Sequence, residues 1–293
     1  MASQRTPSSV WVAPALMLTG GVSMYLGAAL AVVLFDRLGP SAVAWLRIAG
    51  AALVLMAWVR PGRSAFTGHR LALAGSFGVI TAAMNIAFYE ALDRLPLGTT
   101  VALEFLGPIV VAAVGSRSRR DVAALGLVIV GVLLIVDVRW SGSPAGVGFA
   151  LTAAACWSGY ILLGKAVAQR GSGMEDLATG FLVAAVLTSP LAIGLRPAFD
   201  ADAPTLGLLG IGLALGLLST AVPYALDQVI LRRVGRARFA ILLALLPVTA
   251  AVVGFLALRQ VPHAAEFAGI VAVAAAVGVQ ARGVHDEGPP NPG

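Results

Sequence analysis

Charge is the scarcest commodity in this 293-residue chain. Asp, Glu, Lys and Arg together make up 12% of it, against 59% hydrophobic residues, and its mean hydropathy is +0.91. A soluble protein of this length needs a charged surface, and there is too little charge here to build one. Cysteine is nearly absent as well. Cys156 is the only one and sits in an apolar stretch, which excludes an intrachain disulfide and a cysteine metal cluster. The three histidines, His69, His263 and His285, fall in expected loops. No HExxH, phosphate loop or paired Asp-rich motif of membrane prenyl transferases is present, so the expectation is a non-enzyme without metal or other cofactor. A cleaved leader is not expected either. "MASQRTPSS" is short and polar, and the first apolar stretch is too long for a signal h-region and ends in "FDRLGP".

What the chain does have is long apolar runs. Windows of about 20 residues, separated by turn and charge breaks, give ten expected transmembrane helices. They cover residues 11–34, 41–59, 71–92, 96–115, 121–137, 147–168, 176–195, 205–231, 238–258 and 265–281. The fold class expected is therefore an all-α integral membrane protein, with residues 282–293 as a disordered cytoplasmic tail. With the N-terminus inside, 14 Lys and Arg residues fall on the cytoplasmic side and 5 outside, and Arg47 is left within the membrane. That asymmetry favours an even number of spans with both termini in the cytoplasm of an inner, or plasma, membrane. The sequence pI near 10.4 comes from short basic clusters scattered between apolar segments. Such scatter fits topology signals rather than a nucleic-acid-binding face, and "RRVGRAR" is expected to touch anionic lipid.

The two halves resemble each other. A shift of 139 residues sets Pro108 on Pro247 and lays "LDRLPLGTTVALEFLGPIVVAAVG" over "LRRVGRARFAILLALLPVTAAVVG". Each half, residues 11–137 and 147–281, holds five expected spans. An odd number sends the second half into the membrane upside down, as in secondary transporters built from inverted repeats around a midplane site.

Several longer stretches carry a family likeness. They are "WLRIAGAALVL", "MNIAFYEALDRLPLGTTVALEFLGPIVVA", "ACWSGYILLGK" and "LLSTAVPYALDQVILRRVGRARFAILLALLPVTAAVVG". On these the chain resembles the drug/metabolite transporter (DMT) superfamily, in particular its EamA-type ten-helix members, and among them the threonine/homoserine exporters. The resemblance covers nearly all of residues 11–281 and implies export of small amino-acid-like metabolites. One position departs from the pattern. The family usually carries glutamate just before the ninth-helix proline, and this chain has Leu246 there.

A transporter needs polar groups inside the membrane, and these are few enough to name. Glu104 lies eight residues past Pro96, about 12 Å into the bilayer at the helical rise. A carboxyl there must face protein or water, which makes it a candidate for substrate binding or for carrying a coupling proton. Arg47, about 9 Å in from the outer end of the second span, is its candidate charge partner. An internal salt bridge that only ties helices together is the plainer alternative. Pro108, Pro223 and Pro247 are candidate helix breaks, because each removes a backbone N–H.

Asn85 and Tyr89 share one face of the third span, Thr220, Tyr224 and Asp227 one face of the eighth, and Trp157 and Tyr160 one face of the sixth. Tyr25 adds a ring from the first. Aromatic and amide groups of this kind suit a zwitterion's side chain and ammonium, though ordinary interhelical packing uses them too. The reading is an exporter of small polar metabolites, amino acids such as threonine or homoserine, working by alternating access. Efflux of aromatic amino acids or organic cations is the nearest alternative, and a non-transporting structural membrane protein a remote one.

Overall fold

The computed structural model of the chain describes residues 8–115, 119–139, 143–168, 173–196, 205–223, 226, 229–230, 242–243 and 245–283. Among them every regular element is helical, as a lipid-facing backbone requires when no barrel forms. The first half comprises α1 (Ser8–Leu38), α2 (Pro40–Val59), α3 (Gly68–Leu92), α4 (Leu97–Glu104), α5 (Leu106–Gly115) and α6 (Arg119–Arg139). The second comprises α7 (Pro144–Ala168), α8 (Gly173–Leu187), a 3₁₀ segment (Ser189–Leu195), α9 (Thr205–Gly216), a π-helical segment (Leu217–Ala221), α10 (Leu245–Leu258) and α11 (Ala264–Gly283). His69, expected in a loop, belongs to the first turn of α3.

These eleven α-helices overlap the ten expected spans, and the extra one has a physical cause. Pro108 has no N–H to return to the carbonyl of Glu104, so the fourth span breaks there and α4 and α5 meet at Phe105. Among the described residues, four helices are long and apolar enough to cross a membrane by themselves: Val12–Leu38, Pro40–Val59, Gly68–Leu92 and Pro144–Leu163. A fifth span is bent by 60° between Met174–Leu187 and Ser189–Leu195. Pro190 accounts for that bend, since it cannot bond the carbonyl of Val186 one turn back. Large apolar side chains cover the outer surface, with Leu256 71% exposed and Val122 67%. Such a surface suits lipid.

Lipid tails are as apolar as the helices, so small residues rather than hydrophobicity set the close contacts. α2 crosses α9 at Gly50, where a Cβ would lie 1.8 Å from the Gly212 carbonyl oxygen. α3 crosses α8 in the same way, with a Cβ on Gly78 reaching within 2.0 Å of the Gly180 oxygen. α3 also packs along α7, α6 along α11, α4 and α1 on α10, and α4 and α5 on α7.

The helix ends are closed by polar contacts. Arg70 at the start of α3 makes 2.6 Å contacts to both Glu175 and Asp176 at the start of α8. Arg94 pairs with Glu90 one turn earlier at 2.8 Å, and Ser41 donates a hydrogen bond to the same carboxylate. The Gln260 side-chain oxygen accepts the N–H of Leu97 at 2.9 Å, satisfying one of the free donors at the start of α4. Glu266 reaches back to the N–H of His263 at 3.3 Å, half of a capping box for α11.

Candidate functional site

Helices α1, α2, α3, α4 and α7, with Pro223, Leu243 and Leu246 from the eighth and ninth expected spans, enclose a cavity of about 230 Å³. Its wall is mostly apolar: Met17, Met24, Met84, Phe88, Phe105, Trp157, Leu243 and Leu246, with Gly20, Gly21 and Ala28 where α1 passes. Phe105 meets Trp157 edge-to-face at 5.0 Å, and Tyr160 leans on Phe77 at 4.7 Å, so the rings are held in place by each other. Into this wall are set the amide of Asn85, the phenols of Tyr25 and Tyr160, and two ionisable groups, Arg47 and Glu104.

The two ionisable groups line the same cavity. No ion pair joins them, and Glu104 accepts no hydrogen bond among the described residues. The salt bridge that would only tie α2 to α4 is thus not formed. Arg47 has other partners. Its guanidinium donates to the carbonyl of Ser219 at 3.1 Å and lies over the Tyr89 ring, 5.6 Å from the centroid.

That carbonyl belongs to the π-helical segment, whose wider turn disturbs the regular hydrogen-bond ladder of its span. α1 locks the same segment in place. Ser23 donates to the Leu218 carbonyl at 2.9 Å and Ser219 to the Met24 carbonyl at 3.4 Å. Gly27 lets the two backbones approach, since a Cβ there would come within 2.1 Å of the Ser219 hydroxyl.

Two residues of the wall sit four positions before a proline. Pro108 leaves the carbonyl of Glu104 without its helical donor, and Pro247, by the same four-residue rule, leaves that of Leu243 without one. Both residues line the cavity and are 139 positions apart.

Over residues 144–280 the chain matches the EamA-like transporter family. It is 34% identical to the threonine/homoserine exporter RhtA of Salmonella typhimurium strain LT2 over 270 residues, 91% of this chain and 90% of that one. The Escherichia coli K12 exporter of the same name is also 34% identical, over 254 residues covering 86% of this chain and 85% of its own. The chain belongs to the EamA-like transporter family. A solved crystal structure, 17% identical with a TM-score of 0.56 over 91% of this chain and 97% of that one, shares the fold. This EamA-like protein is therefore a multi-pass membrane transporter of small molecules and not an enzyme.

Of the residues singled out in the sequence of this EamA-like chain, Tyr25, Arg47, Asn85, Glu104, Trp157, Tyr160 and Pro223 meet in the cavity. Tyr89 does not reach it. It is buried one layer back, under the guanidinium of Arg47. Thr220 is half-buried in the π-helical segment, away from the wall. Pro108 and Pro247 also stand off the wall, each four residues past a lining residue. Tyr224, Asp227 and the cluster "RRVGRAR" lie outside the described residues. Sequence reasoning missed Ser219 and the methionines at positions 17, 24 and 84. A serine or methionine in an apolar helix carries no periodic signal, and only the packing of α1, α2 and the π-helical segment reveals their place.

Proposed function

We propose that this chain exports small amino acids of the threonine/homoserine class across the inner membrane, by alternating access. The observation that carries the reading is a small cavity with one carboxyl and one guanidinium in its wall, in a chain that aligns over most of its length with threonine/homoserine exporters. Size favours this over drug or dye efflux. Sites for drug-sized ligands span roughly 300–1,000 Å³, and this cavity holds about 230 Å³. The solute is therefore small.

The moving parts are two inverted five-helix halves, residues 11–137 and 147–281, with ten spans in all and both chain ends cytoplasmic. Mirrored pairing supports this. α2 with α9 has its counterpart in α3 with α8, while α6 with α11 and α4 with α10 are their own counterparts. The Lys and Arg asymmetry of 14 against 5 supports the orientation, and the family match over residues 144–280 spans one such half. Glu104 takes part in substrate binding and carries the coupling proton, with Asn85, Tyr25, Trp157, Tyr160 and, through Arg47, Tyr89 shaping the site. Thr220, Tyr224 and Asp227 belong to the eighth span that closes it, and the basic cluster between the eighth and ninth spans rests on anionic lipid.

The test is a pair of growth challenges on cells overproducing the protein, one with inhibitory threonine or homoserine and one with cationic dyes. Protection against the amino acids is expected. Protection against the dyes alone would overturn the reading.

A further inference from the structure

Building on the amino-acid reading, we infer that Arg47 is the carboxylate-binding end of a two-ended site whose ammonium end is Glu104. The cavity then selects free zwitterionic amino acids over their amides and N-acyl forms. Two opposite charges in one small apolar chamber would ordinarily collapse onto each other. Here each is held by its own helix. Arg47 is tethered to α9's π-helical extension through the Ser219 carbonyl and rests on the Tyr89 ring. One of its guanidinium nitrogens is occupied in this way, and the remaining donors form a planar fork suited to a carboxylate.

Glu104 ends α4 at the break imposed by Pro108. Its own carbonyl has lost its helical donor, so the C-terminal end of α4, where Glu104 lines the cavity, carries negative potential. Phe88, Phe105 and Trp157 line the same cavity and offer a hydrocarbon or hydroxyl side chain an apolar wall but no further charge. A zwitterion satisfies both ends at once. An amino-acid amide leaves Arg47 without its anion, and an N-acyl amino acid leaves Glu104 without its cation. Sites built around such paired groups reject the analogue that lacks one of them by large factors.

The experiment is titration calorimetry on the purified full chain in detergent, with threonine, threoninamide and N-acetylthreonine as the three ligands. Wild type is expected to bind threonine at least about tenfold more tightly than either analogue. Arg47→Gln should weaken threonine by about tenfold or more and change threoninamide less than about twofold. Glu104→Gln should weaken threonine to a similar degree and leave N-acetylthreonine nearly unchanged. A fold defect would lower all three ligands together, and equal losses would overturn the assignment. Where Arg47→Gln does not purify as a single species, Arg47→Lys takes its place. It keeps a cation without the fork and is expected to lose threonine several-fold with threoninamide unchanged; a parallel loss of both overturns the assignment. Wild type that binds no amino acid would sink the exporter reading itself. Wild type that binds threonine and threoninamide alike would leave that reading standing and remove only the role given to Arg47.

Discussion

Leu246 shows how much one side chain can decide. It lines the cavity, and its hydrocarbon leaves Glu104 as the only carboxyl on the described wall. Against the single cation of Arg47 the chamber is then balanced, which suits a neutral zwitterion. A second carboxylate would tip it negative. Leu246→Glu is expected to lower threonine export at least about tenfold, the scale on which an unpaired buried charge discriminates. It should also raise resistance to small cationic dyes, both read from growth in liquid culture at matched protein level. Unchanged threonine tolerance would show that this position does not set the charge balance. Arg47, Glu104, Asn85 and the rings at 25, 157 and 160 were all legible in the sequence, because polar and aromatic groups inside apolar runs are conspicuous. Tyr89 was read onto the wall because it shares a helix face with Asn85. Periodicity gives the direction of a side chain but not its depth, and depth is set by how closely α2 presses on α3.

Among the elements, the crossings at glycine are the most exacting. Gly50 of α2 meets the backbone of α9 with no side chain between them, so a methyl group there has nowhere to go but into a carbonyl oxygen. Gly50→Ala is expected to destabilise the protein by about 3 kcal/mol, the upper range for overpacking. Gly210→Ala, on the same α9 but with nothing within 4 Å of the added atom, is expected to stabilise by roughly 0.5–1 kcal/mol through helix propensity. Thermal unfolding in detergent, followed by circular dichroism, reads both. Equal shifts would mean that the crossing is looser than its geometry indicates. The breaks in the helices share a cause. Those at Pro108 and Pro190 follow from a residue type that cannot complete the ladder. The π-helical turn at Leu217–Ala221 precedes Pro223, which by the same rule has no N–H for the Ser219 carbonyl, and the N–H of Val222 bonds Leu217 instead. Ser23, Gly27 and Arg47, all distant in sequence, hold the backbone so exposed.

At the scale of the whole molecule, the contacts separate a frame from the walls of the chamber. The α2–α9 and α3–α8 pairs touch backbone to backbone, and Arg70 pins the second pair at one end. At the cavity, α1 passes the eighth span more loosely at Gly20, where a Cβ would lie 3.8 Å from the Cβ of Leu226. That separation matches a disulfide. In a Cys156→Ala background, Gly20→Cys with Leu226→Cys is expected to stop threonine efflux on oxidation and restore it on reduction. Gly75→Cys with Val183→Cys, which joins α3 to α8 at a 3.6 Å side-chain contact, is expected to leave efflux within about twofold of the reduced protein, because the pair it bridges is already locked. Full activity of the oxidised Gly20–Leu226 protein would place the movement elsewhere.

The proline-marked helices that supply Glu104 and Leu243 offer the chamber two similar backbones, yet only one of them carries an acid. A vestibule that was alike on both sides would let its cargo turn freely. With Arg47 and Glu104 in the roles proposed for them, this one gives the cargo a head and a tail, and a solute that enters amine-first toward α4 is expected to keep that orientation until it leaves. A mirror-image amino acid held by the same two ends points its side chain at a different part of the lining, so the wall rather than the paired charges decides between the two hands.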